Sequence, residues 1–185
     1  MIAAAAVCPH PPLLVPEVAA GAAHELDDLR TACRAAVDTL AGHDVVVVGT
    51  DQAVGIGRWL APYATPRVLD PALTPAEVAE LGRTLGDVAL LVMGDGSARR
   101  SEKAPGHFHP RAEAYDAAVA AALRDADPDA LLALDPADDA ELLVAGRPAW
   151  QFLAGAARGA EWRGELHYDA APYGVGYFVA TWSRA

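Results

Sequence analysis

The chain has 185 residues, of which 53% are hydrophobic, enough for one well-buried core. Its formal net charge of −11 excludes a surface built for nucleic acid or anionic lipid, since both need clustered Lys and Arg. Two cysteines, Cys8 and Cys33, give neither a disulfide framework nor a metal-ligand spacing and point to a reducing cytoplasm.

No composition shift marks a second domain, so residues 1–185 read as a single unit. Residues 2–7 form an apolar run with no basic segment before it. Pro9, Pro11 and Pro12 end it too early for a signal peptide or a membrane span, so it reads as the first strand. Between residues 22 and 40, Leu26, Leu29, Cys33, Val37 and Leu40 recur at three- and four-residue spacing. Asp27, Asp28, Arg30 and Arg34 largely take the other face, which predicts an amphipathic helix.

Residues 45–48, four valines, predict a buried strand. Thr74, Pro75 and Glu77 spell a helix start, with Thr as the cap, Pro in the first turn and Glu three residues on. That helix should run to about residue 85, before a third buried strand at 88–93. Pro110 opens another helix with Tyr115, Val119, Ala122 and Leu123 on its buried side. Pro128, Pro136 and Pro148 then punctuate shorter helices. Residues 165–168 and 176–181 predict a final pair of strands joined through Pro172-Tyr173-Gly174.

Strands alternating with helices predict an α/β fold: a central mixed β-sheet with helices on both faces. Ligands in such sheets bind beyond the carboxyl ends of the strands, where residues 8–12, 49–57 and 94–100 converge. His10 sits there in the rigid turn Pro9-His10-Pro11-Pro12, a setting suited to a metal ligand or a base. Gly94-Asp95-Gly96-Ser97 followed by Arg99-Arg100 has the composition of an anion site. Asp95 is expected to orient loop amides, and Arg99 or Arg100 to pair with Glu102 or Asp116. Neither this loop nor Gly55-Ile56-Gly57 completes a dinucleotide or Walker pattern, and Ser97 lies outside a hydrolase elbow.

Three landmarks resemble, in order, the catalytic beta-type chains of the class III extradiol ring-cleavage dioxygenases, of protocatechuate and Memo types. They are His10 in its proline turn, residues 94–116, and residues 173–181. The resemblance implies an Fe(II) site of two His and one carboxylate with a catalytic His nearby. His10 matches the first ligand. Asp51 or Gln52 stands where the second His is expected, Val144 and Ala145 where the carboxylate is expected, and Ala98 where the catalytic His is expected.

The expectation is a homologue that has lost Fe(II)-dependent catechol cleavage, needs no cofactor, and keeps the crevice for a small ligand or a partner protein. Gln52, Asp95, Ser97, Arg99 and Tyr173 are its expected ligand contacts. The alternative is a metal enzyme, Fe(II) or another divalent ion, rebuilt from His10, Asp51 and Glu141 or from the His107/His109 pair. A third option is metal-free acid/base chemistry by His10 with Asp51. The family's two-chain enzymes imply a second, partner chain, and assembly with copies of itself is open.

Overall fold

Four of the apolar runs become the middle of a six-stranded sheet in the computed structural model, which describes residues 1–19 and 24–185. In chain order, β1 (Ala4–Cys8) leads through a 3-10 turn (Pro12–Leu14) and α1 (Pro16–Ala19) to α2 (Asp27–Asp38). Then come β2 (Val45–Gly49), α3 (Asp51–Leu60), β3 (Thr65–Val68), α4 (Pro75–Arg83) and β4 (Ala89–Met93). Four helices follow: α5 (Ala112–Arg124), α6 (Pro128–Leu132), α7 (Ala137–Leu142) and α8 (Arg147–Ala157). The chain ends in the hairpin of β5 (Trp162–Ala170) and β6 (Tyr177–Arg184).

The strand order is β3-β2-β4-β1-β6-β5. The first four strands run parallel, with Ala4 opposite Ala89 and Val45 opposite the same Ala89, so three carboxyl ends lie together. β6 joins antiparallel to β1, which makes the sheet mixed as expected.

Every residue of β4 is buried, because helices cover both sheet faces. One face packs Cys8, Val47, Leu91 and Met93 against the apolar sides of α2 and α3. The other packs Val7, Val48, Leu90 and Val92 against Val119, Leu123, Trp150 and Phe152 of α5 and α8. The result is one compact α/β domain of three layers.

Local chemistry explains the helix starts. Thr74 Oγ1 accepts from the Glu77 amide at 3.3 Å while the Glu77 carboxylate accepts from the Thr74 amide at 2.8 Å, a complete capping box. The predicted beginning of α2 at Ala22 lies outside the described residues. Arg30, assigned to the polar face of that helix, is buried instead. Its guanidinium donates to the Leu13 and Leu14 carbonyls at 2.7 Å each, tying the segment after His10 to α2.

Two elements depart from the sequence expectation. Residues 51–60 form α3 despite Gly55 and Gly57, and Gly57 has a packing reason: a Cβ there would strike Val47 and Met93. The short β3 carries Pro66 and three exposed residues out of four, as an edge strand tolerates. On the opposite edge, a bulge between Leu166 and Tyr168 breaks the two-residue alternation of β5. Leu166 therefore packs with the α5 face of the core and Tyr168 with the α2 face.

Candidate functional site

The carboxyl ends of β1 and β4 open into a pocket of about 310 Å³. Four segments build it. The turn after β1 supplies Pro11, Pro12 and Leu13, the loop after β4 supplies Asp95 and Ala98, the α7–α8 junction supplies Leu143 and Ala145, and the β5–β6 connection with the first residue of β6 supplies Tyr173, Val175 and Tyr177. Such a position follows from the topology, since each parallel strand releases its loop on this side of the sheet.

The loop after β4 is held on all sides by its backbone. The amides of Gly94, Gly96, Ala98 and Arg100 donate to the carbonyls of Cys8 (2.9 Å), Gly176 (2.7 Å), Leu143 (3.3 Å) and Gly174 (3.0 Å). The Ser97 amide donates to Asp116 Oδ1 at 2.9 Å. Gly94 is required where the chains cross, because a Cβ would sit 2.6 Å from Gly146 Cα and 2.9 Å from the Trp150 indole nitrogen. Asp116 is buried beneath the loop and pairs with Arg100 at 2.8 Å, one of the pairings the sequence suggested. Burial pushes its carboxyl pKa up, opposed by the Ser97 amide and Arg100.

Asp95 is the acidic side chain of the pocket. Its Oδ1 accepts from the His10 amide at 2.7 Å, so it does orient a backbone amide, but one in the neighbouring strand's turn. Its Oδ2 has no hydrogen-bond partner among the described residues. Enclosure pushes the Asp95 pKa up, with the nearby His10 and its amide opposing. The His10 ring is buried, and its Nδ1 lies 3.5 Å from Asp95 Oδ1 without hydrogen-bond geometry. The carboxylate beside His10 is thus Asp95, where sequence reasoning had chosen Asp51. Asp51 and Gln52 sit exposed in the first turn of α3 and add nothing to the pocket wall.

Several expected contacts find other employment. Ser97 is fully buried and donates its hydroxyl to the Leu142 carbonyl at 2.7 Å. Arg99 donates to the carbonyls of Glu141 (2.8 Å) and His107 (3.3 Å), so it braces two loops. The Arg99 and Arg100 guanidinium groups and the amides of Gly94, Gly96, Ser97, Ala98 and Arg100 are engaged by protein acceptors, which takes most donors away from the anion site that Gly94–Arg100 suggested. Tyr173 does line the pocket, and its hydroxyl donates to Glu25 at 2.6 Å.

Tyr177 was missed. It is 3% exposed at the start of β6, and its hydroxyl has no hydrogen-bond partner among the described residues. Burial and the Asp95 charge both push its pKa up. Its separation from Tyr173 by four residues was the only sequence signal, and the Gly174 and Gly176 between them obscured it.

The Fe(II) centre implied by the resemblance does not fit these side chains. Among the described residues, no group of three or more His, Cys, Asp and Glu could hold a metal ion. His10, Asp51 and Glu141 are therefore not gathered as a ligand set. Glu141 is engaged by Arg111 and lies 3.2 Å from His109, while His107 faces Glu102 at 3.0 Å. His107 has φ 59, so His107 and His109 are not in the extended arrangement that would align their rings.

A second cavity, about 470 Å³, lies where α4 meets α6 and the end of α8. Its charges are paired, Arg83 with Glu80 at 2.9 Å and Arg158 with Asp129 at 3.4 Å, and it shares no lining residue with the strand-end pocket. The fold and the strand-end pocket together define an α/β protein with a small, mostly apolar crevice around one carboxyl. No protein-family model matches the chain, and no curated protein does. Among the described residues, no helix is long and apolar enough to cross a membrane.

Proposed function

We propose that this protein binds a small, largely apolar molecule in the strand-end pocket, on a framework like the catalytic beta-type chain of the class III extradiol dioxygenases, and no longer performs Fe(II)-dependent ring cleavage. The observation that carries the reading is the pocket itself, in which four segments bring apolar walls to one nearly enclosed carboxyl, Asp95. Its volume is at the small end of ligand sites and suits a one-ring body.

Two positions support the link to that family. Ala98 and Ala145, which stand where the resemblance implies the catalytic His and the carboxylate ligand, both line this pocket. The place of the chemistry is retained while its groups are replaced by methyls. Fold carries over in such cases more readily than activity. A cytoplasmic setting accords with Cys8 and Cys33, both buried as free thiols. Leu143, 45% exposed on the pocket wall, gives a partner chain an apolar point of contact over the mouth.

One observation favours a competing reading, a metal enzyme rebuilt around His10. His10 Nδ1 is buried without a hydrogen-bond partner close to Asp95. Two donors fall short of the three protein ligands of a catalytic metal site.

A single set of measurements separates the two. Benzyl alcohol should bind the wild-type protein, as read by calorimetry, and Ala98→Trp should weaken it at least ~10-fold by filling the pocket. The same protein, incubated with Fe(II), Mn(II) or Zn(II) and desalted, should retain no stoichiometric metal. Equal binding by wild type and Ala98→Trp would remove the pocket from the account, and stoichiometric metal lost in His10→Ala would favour the enzyme.

A further inference from the structure

Resting on the pocket reading above, we propose that the ligand is an organic cation: a primary ammonium group carried on an apolar body of about one ring. The argument begins with charge. Asp95 is the only carboxyl among the described residues lining the cavity, whose other members are apolar or aromatic apart from backbone. Its Oδ1 is taken by the His10 amide, and its Oδ2 is left without a protein donor.

The basic side chains near the cavity stand outside its wall: the His10 ring lies 3.5 Å from Asp95 without hydrogen-bond geometry, and Arg30 donates to the Leu13 and Leu14 carbonyls. Arg99 directs Nε and Nη1 to the carbonyls of His107 and Glu141, and Arg100 is directed to Asp116 at 2.8 Å and Glu113 at 4.0 Å. The amides of Gly94, Gly96, Ala98 and Arg100 are turned into backbone pairs, and that of Ser97 is turned to Asp116. An anionic ligand would meet the Asp95 carboxylate with no compensating donor, which costs far more than a neutral mismatch. No Lys or Arg side chain lines the cavity to serve that carboxylate as a counterion.

The aromatic groups suit an ammonium as well. Tyr177 brings a hydroxyl with free acceptor capacity into the same cavity, so an ammonium has a carboxylate oxygen and a phenolic oxygen to donate to. Tyr173 and Tyr177 add ring faces, which attract cations. Tyr173 also donates its hydroxyl to the Glu25 carboxylate, which itself lies outside the pocket wall. Pro11, Pro12, Leu13 and Val175 would cover the apolar body. The net charge of −11 draws cations toward the surface at long range.

Three probes of one shape test the proposal: benzylammonium, benzyl alcohol and benzoate, titrated calorimetrically at neutral pH into wild type, Asp95→Asn and Ala98→Trp. Asp95→Asn keeps the oxygen that accepts from the His10 amide and removes only the charge. We expect benzylammonium to bind wild type at least ~10-fold more tightly than benzyl alcohol, with benzoate weakest. In Asp95→Asn that preference should vanish while benzyl alcohol stays within about twofold. Ala98→Trp should abolish binding of both. If benzyl alcohol binds and benzylammonium holds no advantage, the cation proposal falls and the pocket reading stands. Benzylammonium binding that survives Ala98→Trp would be attraction to the acidic surface and would also overturn it. If no probe binds, both fall.

Discussion

Asp116→Ala is expected to lower stability by about 3 kcal/mol and to weaken ligand binding together with it. The carboxylate is 1% exposed and accepts from the buried Ser97 amide at 2.9 Å and from Arg100 at 2.8 Å. Alanine leaves an amide and a guanidinium without their acceptor. It also removes the group over which Gly96 and Gly176 close, since a Cβ on either glycine would strike the Asp116 carboxylate. The loop carrying Asp95 and Ala98 is then no longer fixed against β6. Asp116→Asn, which keeps an acceptor for the Ser97 amide, should lose about 1 kcal/mol.

The pH dependence has a definite sign. Burial raises the Asp116 pKa in the folded protein. The proton-linked part of its contribution is therefore fully present below the unfolded carboxyl pKa and is lost as pH rises through the folded value, while the acceptor role toward Ser97 and Arg100 persists above it. The gap between wild type and Asp116→Ala should be widest in acid. Urea denaturation across pH reads all of this. A loss under about 0.5 kcal/mol in Asp116→Ala would mean that the loop is held by backbone pairing alone.

Trp182→Ala is expected to cost about 3–5 kcal/mol and to lower Tm by roughly 10 °C or more. The indole is 1% exposed, lies 6.5 Å from the Trp162 ring centre, and donates to the Leu123 carbonyl at 2.7 Å. Truncation opens a cavity between sheet and α5 and strands that carbonyl. Trp182 is five residues along β6 from Tyr177, about 16 Å at strand rise. Below its melting range the variant should thus bind pocket probes as wild type does. Thermal unfolding with a parallel titration checks both halves, and the contrast with Asp116→Ala separates loss of core from loss of site.

Much of the sheet was legible because buried parallel strands are nearly continuous apolar runs, as in Val45–Gly49 and Ala89–Met93. The start of α4 was legible because capping is local chemistry, written in Thr74, Pro75 and Glu77. α3 and β3 were not. Gly55 and Gly57 read as loop, and only the packing of Val47 and Met93 on Gly57 explains a helix there. Pro66 argues against a strand until β3 is known to be an edge.

The site was legible as a location and much less as a set of contacts. Asp95 and Tyr173 lie on the pocket wall and His10 is buried behind it, a place the sequence suggests because strand ends in α/β sheets host ligands. Asp51 was chosen as the partner of His10 from its place after β2, yet adjacency across the sheet favours the loop after β4, β1's own neighbour. Ser97 and Arg99 have ligand-binding side chains by type, but Leu142, Glu141 and His107 present carbonyls that claim them. Leu143 and Tyr177 enter through long-range contacts that no local pattern encodes.

The most direct measurement is a proton–nitrogen NMR titration of the intact protein with benzyl alcohol. The largest amide shifts should fall on Leu13, Asp95, Gly96, Ala98 and Val175, around the ends of β1 and β4. Shifts that gather instead on Ala76, Ala79, Leu132 and Arg158, in the cavity beside α4, or that appear nowhere, would contradict the account.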